Sequence, residues 1–493
     1  MWSDPLSHLS RRRLFQLAGG LALATGTPAL AQSASAADLK GDVALLREAF
    51  TTIHPAIYSY NTPAEMATRF DLLEAEWASP GSFKDRLLSL SRLTAAVRCG
   101  HTYPNPYNQS PAVQARMFEG RRLVPFEFLW LDGAMVVTRD RSAAGLFLRG
   151  DAVVAVNGVP TSDLLRQLIP LSRADGAAGA KRVNNMEMRG QNKFETFDIH
   201  LPLVLPGIAD TAEFALHDGR VIRAELMTLA ERQSTLPTAT NDDTVNPWTL
   251  VTGDDGIVRL TCPTWAMYDA SWDWRGWLAT TMDDLTANGA RGLIVDVRGN
   301  EGGLSECGDI IASRLTLADI ASPRSLRFVR YKRVDPALNP YLSTWDNSFR
   351  DWGERAVGPD DRGFYRLTSG DDETAGLVRP TGRRFVGPVM VLCDASNSSA
   401  TFGFAQMIKD NGLATLVGPA TGGTRRGVNG GYFFMRLPAS GLEVDLPHTA
   451  IVPRTPQPDE PVQPDIVIGF TRADIAASHD PQMAAATARI LNA

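Results

Sequence analysis

Two short stretches, Gly292-Leu-Ile-Val-Asp-Val and Val389-Met-Val-Leu, are apolar at almost every position, and each runs straight into a polar turn rich in glycine, asparagine or serine. A strand with one solvated face alternates apolar and polar residues, so an unbroken apolar run belongs to a strand covered on both faces. Helical patterns capable of supplying that cover recur nearby, at Trp274 to Leu285, Gly308 to Leu315 and Ala400 to Lys409. Two further runs, Gly256-Ile-Val-Arg-Leu and Ala414-Thr-Leu-Val, complete an alternation of strand and helix across residues 248–493. The alternation predicts an α/β core with largely parallel pairing, in which ligands sit beyond the carboxyl ends of the strands. Two segments leave such ends: Arg298-Gly-Asn-Glu-Gly-Gly and Asp394-Ala-Ser-Asn-Ser-Ser.

The chain has 493 residues, too many for one core, and about three units are expected. Residues 38–112 read as an N-terminal helical cap, with Leu45, Phe50, Ile53, Leu72, Leu73 and Trp77 at helix-like intervals and a break at Pro80-Gly81. The cap closes in Cys99-Gly-His-Thr-Tyr-Pro-Asn-Pro, where glycine and two prolines hold His101 in an irregular loop. Residues 120–235 switch to short β-type runs, the first pair joined at Asp132-Gly133. Within them, Ala143-Ala-Gly-Leu-Phe-Leu-Arg-Gly-Asp-Ala-Val-Val-Ala-Val-Asn-Gly-Val-Pro, followed by Asp163-Leu-Leu-Arg-Gln-Leu, resembles a PDZ domain. That resemblance implies either a sheet edge that binds extended peptides or an inert domain that keeps only the shape.

Arg11-Arg-Arg-Leu-Phe-Gln, a short apolar stretch from Leu17 to Ala24, and Ala29-x-Ala31 have the layout of a signal peptide over residues 1–31. Arg12-Arg13-x-Phe15 is its twin-arginine form, which predicts a periplasmic or secreted protein exported folded. The apolar stretch falls short of the ~20 residues that span a bilayer, so no stable membrane insertion is expected after cleavage. Removal of residues 1–31 takes away three arginines and one aspartate and moves the formal charge from −6 to −8. An acidic surface of that kind argues against nucleic acid as a partner. Cys99, Cys262, Cys307 and Cys393 show no metal-ligand spacing, so no metal or other cofactor is expected; an exported chain could pair them, or they are small buried side chains.

The two strand ends and the β-rich insert together resemble the tail-specific, or C-terminal-processing, serine protease family, whose members include the tricorn core. The carrying motifs are Asp296-Val-Arg-Gly-Asn-Glu-Gly-Gly303, Ser399-Ala400 opening a helix, and Val417-Gly-Pro-Ala-Thr-Gly-Gly423. The resemblance implies a ClpP/crotonase-like α/β core and a serine-type endopeptidase acting on peptide or protein substrates. It assigns Ser399 as nucleophile, against the rivals Ser396 and Ser398, for which helix capping is the ordinary role. A serine at a strand-to-helix junction stands where unpaired helix N–H groups can stabilise an anion, so the Ala400 amide and the Gly302-Gly303 turn are the candidate oxyanion hole.

The Ser–Lys branch of the family carries a lysine in the turn after the nucleophile helix, where this chain has Thr424. Arg425 and Arg426 do not release a proton at working pH and cannot replace it. The tricorn-like branch uses a His-Thr instead, matched by His101-Thr102, with Gly100 where those enzymes have serine. His448 is the alternative base. For the acid that orients the histidine, the resemblance points to Glu460 or its neighbour Asp459, with Asp465 read as ending a turn. There is no Gly-x-Ser-x-Gly elbow, His-Glu-x-x-His, phosphate loop or dinucleotide glycine pattern, which disfavours esterase, zinc-protease and nucleotide functions. The missing lysine leaves one competing reading: a catalytically silent relative that binds a peptide or apolar ligand.

Overall fold

The computed structural model describes residues 34–236, 243–323, 326–368 and 376–493. The export signal read at residues 1–31 lies outside them. No helix among the described residues is long and apolar enough to cross a membrane.

The chain begins with helices α1 (Ala36–Ile53), α2 (Pro63–Ala78), α3 (Phe83–Ala96) and α4 (Pro111–Met117). Ser35, Thr62 and Ser82 start the first three, each accepting a hydrogen bond from the backbone of an acidic residue three positions on, which in turn bonds back. A β-rich unit follows, with strands β1 (Phe126–Leu131), β2 (Ala134–Asp140) and β3 (Ala152–Val156), helices α5 (Thr161–Leu168), α6 (Gly179–Asn184) and α7 (Thr196–Val204), and strands β4 (Thr211–Leu216) and β5 (Val221–Glu225). These five strands pair antiparallel in chain order, and a short sixth, Val159–Pro160, pairs with β3.

The α/β core comprises β6 (Thr249–Thr252), β7 (Ile257–Thr261), α8 (Trp274–Ala287), β8 (Gly292–Asp296), α9 (Glu306–Ser313), β9 (Leu326–Val329), β10 (Val389–Leu392), α10 (Ser399–Asp410), β11 (Thr415–Gly418), β12 (Val428–Arg436), β13 (Glu443–Val452), β14 (Ile466–Val467), α11 (Arg472–Ala476) and α12 (Pro481–Leu491). One sheet runs β14-β11-β10-β8-β7-β6, parallel throughout except for the edge strand β6. Leu293, Val295 and Val391 pack on one face against Leu278, Ile311 and Phe402 of α8, α9 and α10. Ile294, Met390 and Leu392 pack on the other face against Ala486 and Ile490 of α12. Successive residues of one strand thus bury into opposite layers, which is why these strands have no polar face.

A second sheet is built on the antiparallel pair β12–β13, with β9 beside β13 and three shorter strands at its edges. Sequence patterning does not anticipate it. Residues 443–449 are buried at every position, so period-2 alternation is lost, and Gly430-Gly431 interrupts the partner strand. This sheet also joins the helical segment to the core: Leu46, Phe50, Phe70 and Leu90 share one hydrophobic cluster with Phe433, Met435, Val444 and Leu446. Asp42 of α1 accepts backbone N–H bonds from Ala439 (2.9 Å) and Ser440 (2.7 Å) in the hairpin's turn. All four cysteines are buried free thiols.

Candidate active site

Strands β8 and β10 are parallel neighbours with Asp296 beside Leu392, so the two polar segments that follow them leave the sheet side by side. Two fully buried asparagines tie them together. Asn397 Nδ2 donates to the carbonyls of Val297 (2.6 Å) and Asn300 (3.1 Å), while its Oδ1 accepts from the Asp394 N–H (2.8 Å). Asn300 Nδ2 donates to the Cys262 carbonyl (2.9 Å), and its Oδ1 accepts from Gly302 N–H (2.8 Å) and Thr401 Oγ1 (2.8 Å). The charged residues of the same motif brace it: Arg298 pairs with Asp296 (2.6 Å) and Asp480 (2.8 Å), and Asp394 accepts from Arg189 (2.7 Å).

This clamp delivers Ser399 in an unusual state. Its φ is +50°, left-handed backbone that costs a non-glycine residue roughly 1–2 kcal/mol. Strain of this kind persists only where surrounding contacts impose it. The rival serines are occupied elsewhere: Ser396 Oγ donates to Asn184 (2.9 Å) and Ser398 Oγ to the Glu301 carbonyl (3.0 Å). A Cβ on Gly302 would lie 2.9 Å from Ser399 Cβ and 3.0 Å from the Ala400 nitrogen, so only glycine lets the loop pass the serine this closely.

The expected oxyanion donors narrow. The Gly302 N–H is spent on Asn300, which leaves Gly302 a clearance role and corrects its assignment as a donor. Gly303 forms a parallel bridge with Trp265 in which Trp265 makes both hydrogen bonds, to Gly302 O (3.2 Å) and from Leu304 N (2.8 Å). In that pattern the N–H of the facing residue, Gly303, points away from the bridge, and Gly303 lines the cavity that also holds Ser399. The Ala400 N–H belongs to the first turn of α10, where no intrahelical acceptor exists.

His101 comes from the other end of the chain, on a loop fastened at several points. His54 Nδ1 accepts from the Ala56 N–H (3.0 Å), so its Nε2 carries the proton and donates to Thr102 Oγ1 (2.7 Å). Gly100 N–H donates to Asp175 Oδ1 (2.8 Å), Arg173 donates to the Gly100 carbonyl, and Asp445 N–H donates to the Tyr103 carbonyl (3.1 Å). The His101 ring packs on Tyr432 of β12 at 5.7 Å between centroids. His101, Ser399 and Gly303 line one cavity of about 210 Å³. Ser399 and Ala400 also border a second cavity of about 220 Å³, walled by Phe404, Met407, Val428 and Ile451.

The other sequence candidates lie elsewhere. Glu460 is exposed and outside the cavity. Asp459 Oδ1 accepts from Tyr60 (3.1 Å), Thr424 (2.9 Å) and the Ala177 N–H (3.2 Å), and it does not line the cavity. Asp465 pairs with Lys409 and accepts from the Leu416 N–H, holding β14 to β11. His448 is buried among Phe349, Trp352 and Phe433, and burial lowers its pKa to about 3, so it is a core residue and not an alternative base.

Sequence reading missed the charged residues that the β-rich unit sends into the cavity: Arg173, Asp175 and Lys181. They lie in a stretch without motif or periodicity, and only tertiary contact reveals them. Lys181 Nζ bonds Glu301 (2.6 Å) and the Ser396 carbonyl (3.0 Å), and Arg173 reaches Glu301 at 3.4 Å. Burial alone would raise the Glu301 pKa, but the two cations hold it well below the usual carboxylate range. Cys99, His101 and Asp175 bring one donor atom each within 4.8 Å of one another. Burial, with Asp175 adding to it, pushes the Cys99 thiol up to about 12.

Residues 256–468 match the model of peptidase family S41. Among solved structures, mature CPAF complexed with lactacystin superposes with a TM-score of 0.61 at 15% identity, covering 93% of this chain and 99% of that one. Mature CPAF in another crystal structure gives 0.57 at 15%, with 90% and 94% coverage. The photosystem II D1 C-terminal processing protease gives 0.42 at 16%, with 87% and 93% coverage. No curated protein matches by sequence.

The asparagine clamp makes a direct prediction. Asn300→Ala orphans the Gly302 N–H, the Cys262 carbonyl and the Thr401 hydroxyl, each costing about 1–3 kcal/mol where buried. A lowered chemical-denaturation midpoint is expected, with the folded protein reacting up to roughly 10²-fold more slowly with a fluorophosphonate because the serine is misplaced. Unchanged midpoint and labelling rate would show that the loops hold their shape without the clamp.

Proposed function

We propose that this chain, whose residues 256–468 match the model of peptidase family S41, is an exported serine endopeptidase using Ser399 as nucleophile and His101 as general base. One observation carries this reading: Ser399, in left-handed backbone at the start of a helix, opens onto the same cavity as a histidine on a braced loop. The chemistry follows from the residues. His101 takes the Ser399 hydroxyl proton as Oγ attacks the scissile carbonyl, and the tetrahedral oxyanion is met by the N–H groups of Gly303 and Ala400. Collapse expels the amine, which leaves with the proton held by His101; water, activated by the same ring, then releases the acyl group. Lys181 borders the cavity too and is the rival base: burial lowers its pKa from the usual lysine value, while Glu301 at 2.6 Å works the other way.

The substrate class read from the cavities is a polypeptide in extended form. The polar cavity around His101 holds one side of the scissile bond, and the cavity walled by Phe404, Met407, Val428 and Ile451 accepts an apolar side chain on the other. The β-rich unit, with its PDZ-like sequence, would present the chain to this cleft. Export is supported by Arg12-Arg13 and the apolar stretch after them.

Ser399→Ala is expected to abolish fluorophosphonate labelling and hydrolysis of an unfolded protein, and His101→Ala to lower turnover by roughly 10⁴–10⁶-fold. With the full-length gene, the labelled wild-type band is expected outside the cytoplasm. Labelling that survives in Ser399→Ala, or activity that survives in His101→Ala but not in Lys181→Ala, would sink the assignment. A wild-type protein that neither labels nor cleaves would favour a silent binding protein. Independently, a Cβ added at Gly403 meets no atom within 4 Å, and Gly403 lines the second cavity. Gly403→Leu is expected to cut kcat/KM for peptides with a large apolar residue at the cleavage site by at least roughly tenfold relative to alanine peptides; an unchanged ratio would place the side-chain pocket elsewhere.

A further inference from the structure

We propose that Asp175, and not Glu460, is the carboxylate that orients His101 and balances its charge during turnover. The inference rests on the Ser399–His101 reading and adds to it the residue that makes the histidine work. Asp175 is 5% exposed and comes from the β-rich unit, in the turn between α5 and α6. One of its oxygens lies within 4.8 Å of a His101 ring nitrogen, and both residues line the cavity that holds Ser399. Catalytic hydrogen bonds of substrate-free enzymes are often long and tighten when substrate arrives, so this spacing is within the reach of a small closure.

The turn is strapped to the histidine loop. Asp175 Oδ1 accepts from the Gly100 N–H (2.8 Å), and Gly176 N–H donates to the Arg98 carbonyl (3.0 Å). A Cβ on Gly100 would come within 2.9 Å of Asp175 Oδ2, so the residue before the histidine is glycine because the carboxylate fills that space. A serine there, as in tricorn-like enzymes, would have to displace it.

Three carboxylates line the cavity. Glu301 sits between Lys181 (2.6 Å) and Arg173 (3.4 Å), and Asp445 accepts from Asn105 (2.8 Å) and Asn108 (2.7 Å). Arg173 lies over the Tyr103 ring at 4.1 Å and bonds the Gly100 carbonyl. Tyr103, Tyr432 and the Cys99 thiol carry no charge at neutral pH because burial raises all three. Asp175 is the carboxylate grouped with the imidazole, and a negative group there stabilises the imidazolium that forms as Ser399 attacks.

Asp175→Asn keeps an oxygen for the Gly100 N–H and removes only the charge, so the loop should stay folded. The expected result is a fall in kcat on the order of 10³–10⁴-fold with KM within about threefold. A neighbouring carboxylate raises an imidazole's pKa, so its loss should move the acid limb of kcat/KM to lower pH by roughly one unit. Asp175→Glu should recover part of the rate, which a purely structural role would not require. The proposal is overturned if Asp175→Asn retains wild-type kcat and acid limb, or if Glu460→Gln carries the loss instead. Failure of the underlying reading looks different: His101→Ala itself would then remain active.

Discussion

Everything chemical in this protein depends on two buried asparagines that tie the ends of two neighbouring strands. Asn397 holds the carbonyls of Val297 and Asn300 and is itself held by the Asp394 N–H; Asn300 holds Gly302 and Thr401 and is anchored on Cys262. An amide side chain both donates and accepts, so one residue can satisfy several backbone groups that a sharp turn would otherwise leave unpaired. With those groups satisfied, the chain can tolerate a left-handed Ser399 at the mouth of α10 and glycines pressed against it. Strain at Ser399 is offset by hydrogen bonds a few ångströms away.

The second half of the site has a different origin. His101 is nearly three hundred residues upstream in the chain, on a loop that belongs neither to the α/β sheet nor to a helix. It is positioned by packing of α1–α4 on the β12–β13 hairpin, by His54 on Thr102, and by the Arg173–Asp175 turn of the β-rich unit. Three parts of the fold therefore meet at one cavity, and a small shift of the β-rich unit would move Arg173, Asp175 and Lys181 together relative to Ser399. Such an arrangement couples the position of that unit to the competence of the base, because the charges around the imidazole and the strap on its loop come from the same turn.

How much of this was legible in the amino-acid sequence follows from what kind of signal each part leaves. Parallel strands buried on both faces leave unbroken apolar runs, so Gly292–Asp296 and Val389–Leu392 and the turns after them could be placed from residues alone. The Ser399 junction and its glycines are local in the chain and were equally readable. The β12–β13 sheet was not, because full burial erases alternation and its glycine pair reads as a loop. The acid proposed for the site was unreadable for a related reason. Asp175 and Glu460 are both carboxylates in irregular segments, and only burial and proximity separate them: one lies against the His101 loop, the other faces solvent. Likewise, sequence could not tell that the Gly302 N–H is already committed while that of Gly303 points away from its bridge to Trp265.

The central claim is that Ser399, Gly303, Ala400 and His101 form one catalytic constellation. The most direct test is a crystal structure of the protein after reaction with a small fluorophosphonate, whose tetrahedral phosphorus mimics the intermediate. The account predicts an adduct on Ser399 Oγ, its phosphoryl oxygen roughly 2.7–3.1 Å from the nitrogens of both Gly303 and Ala400, and a His101 ring nitrogen within roughly 3.2 Å of the serine oxygen. An adduct on another residue, or a phosphoryl oxygen turned to solvent with His101 out of reach, would contradict it.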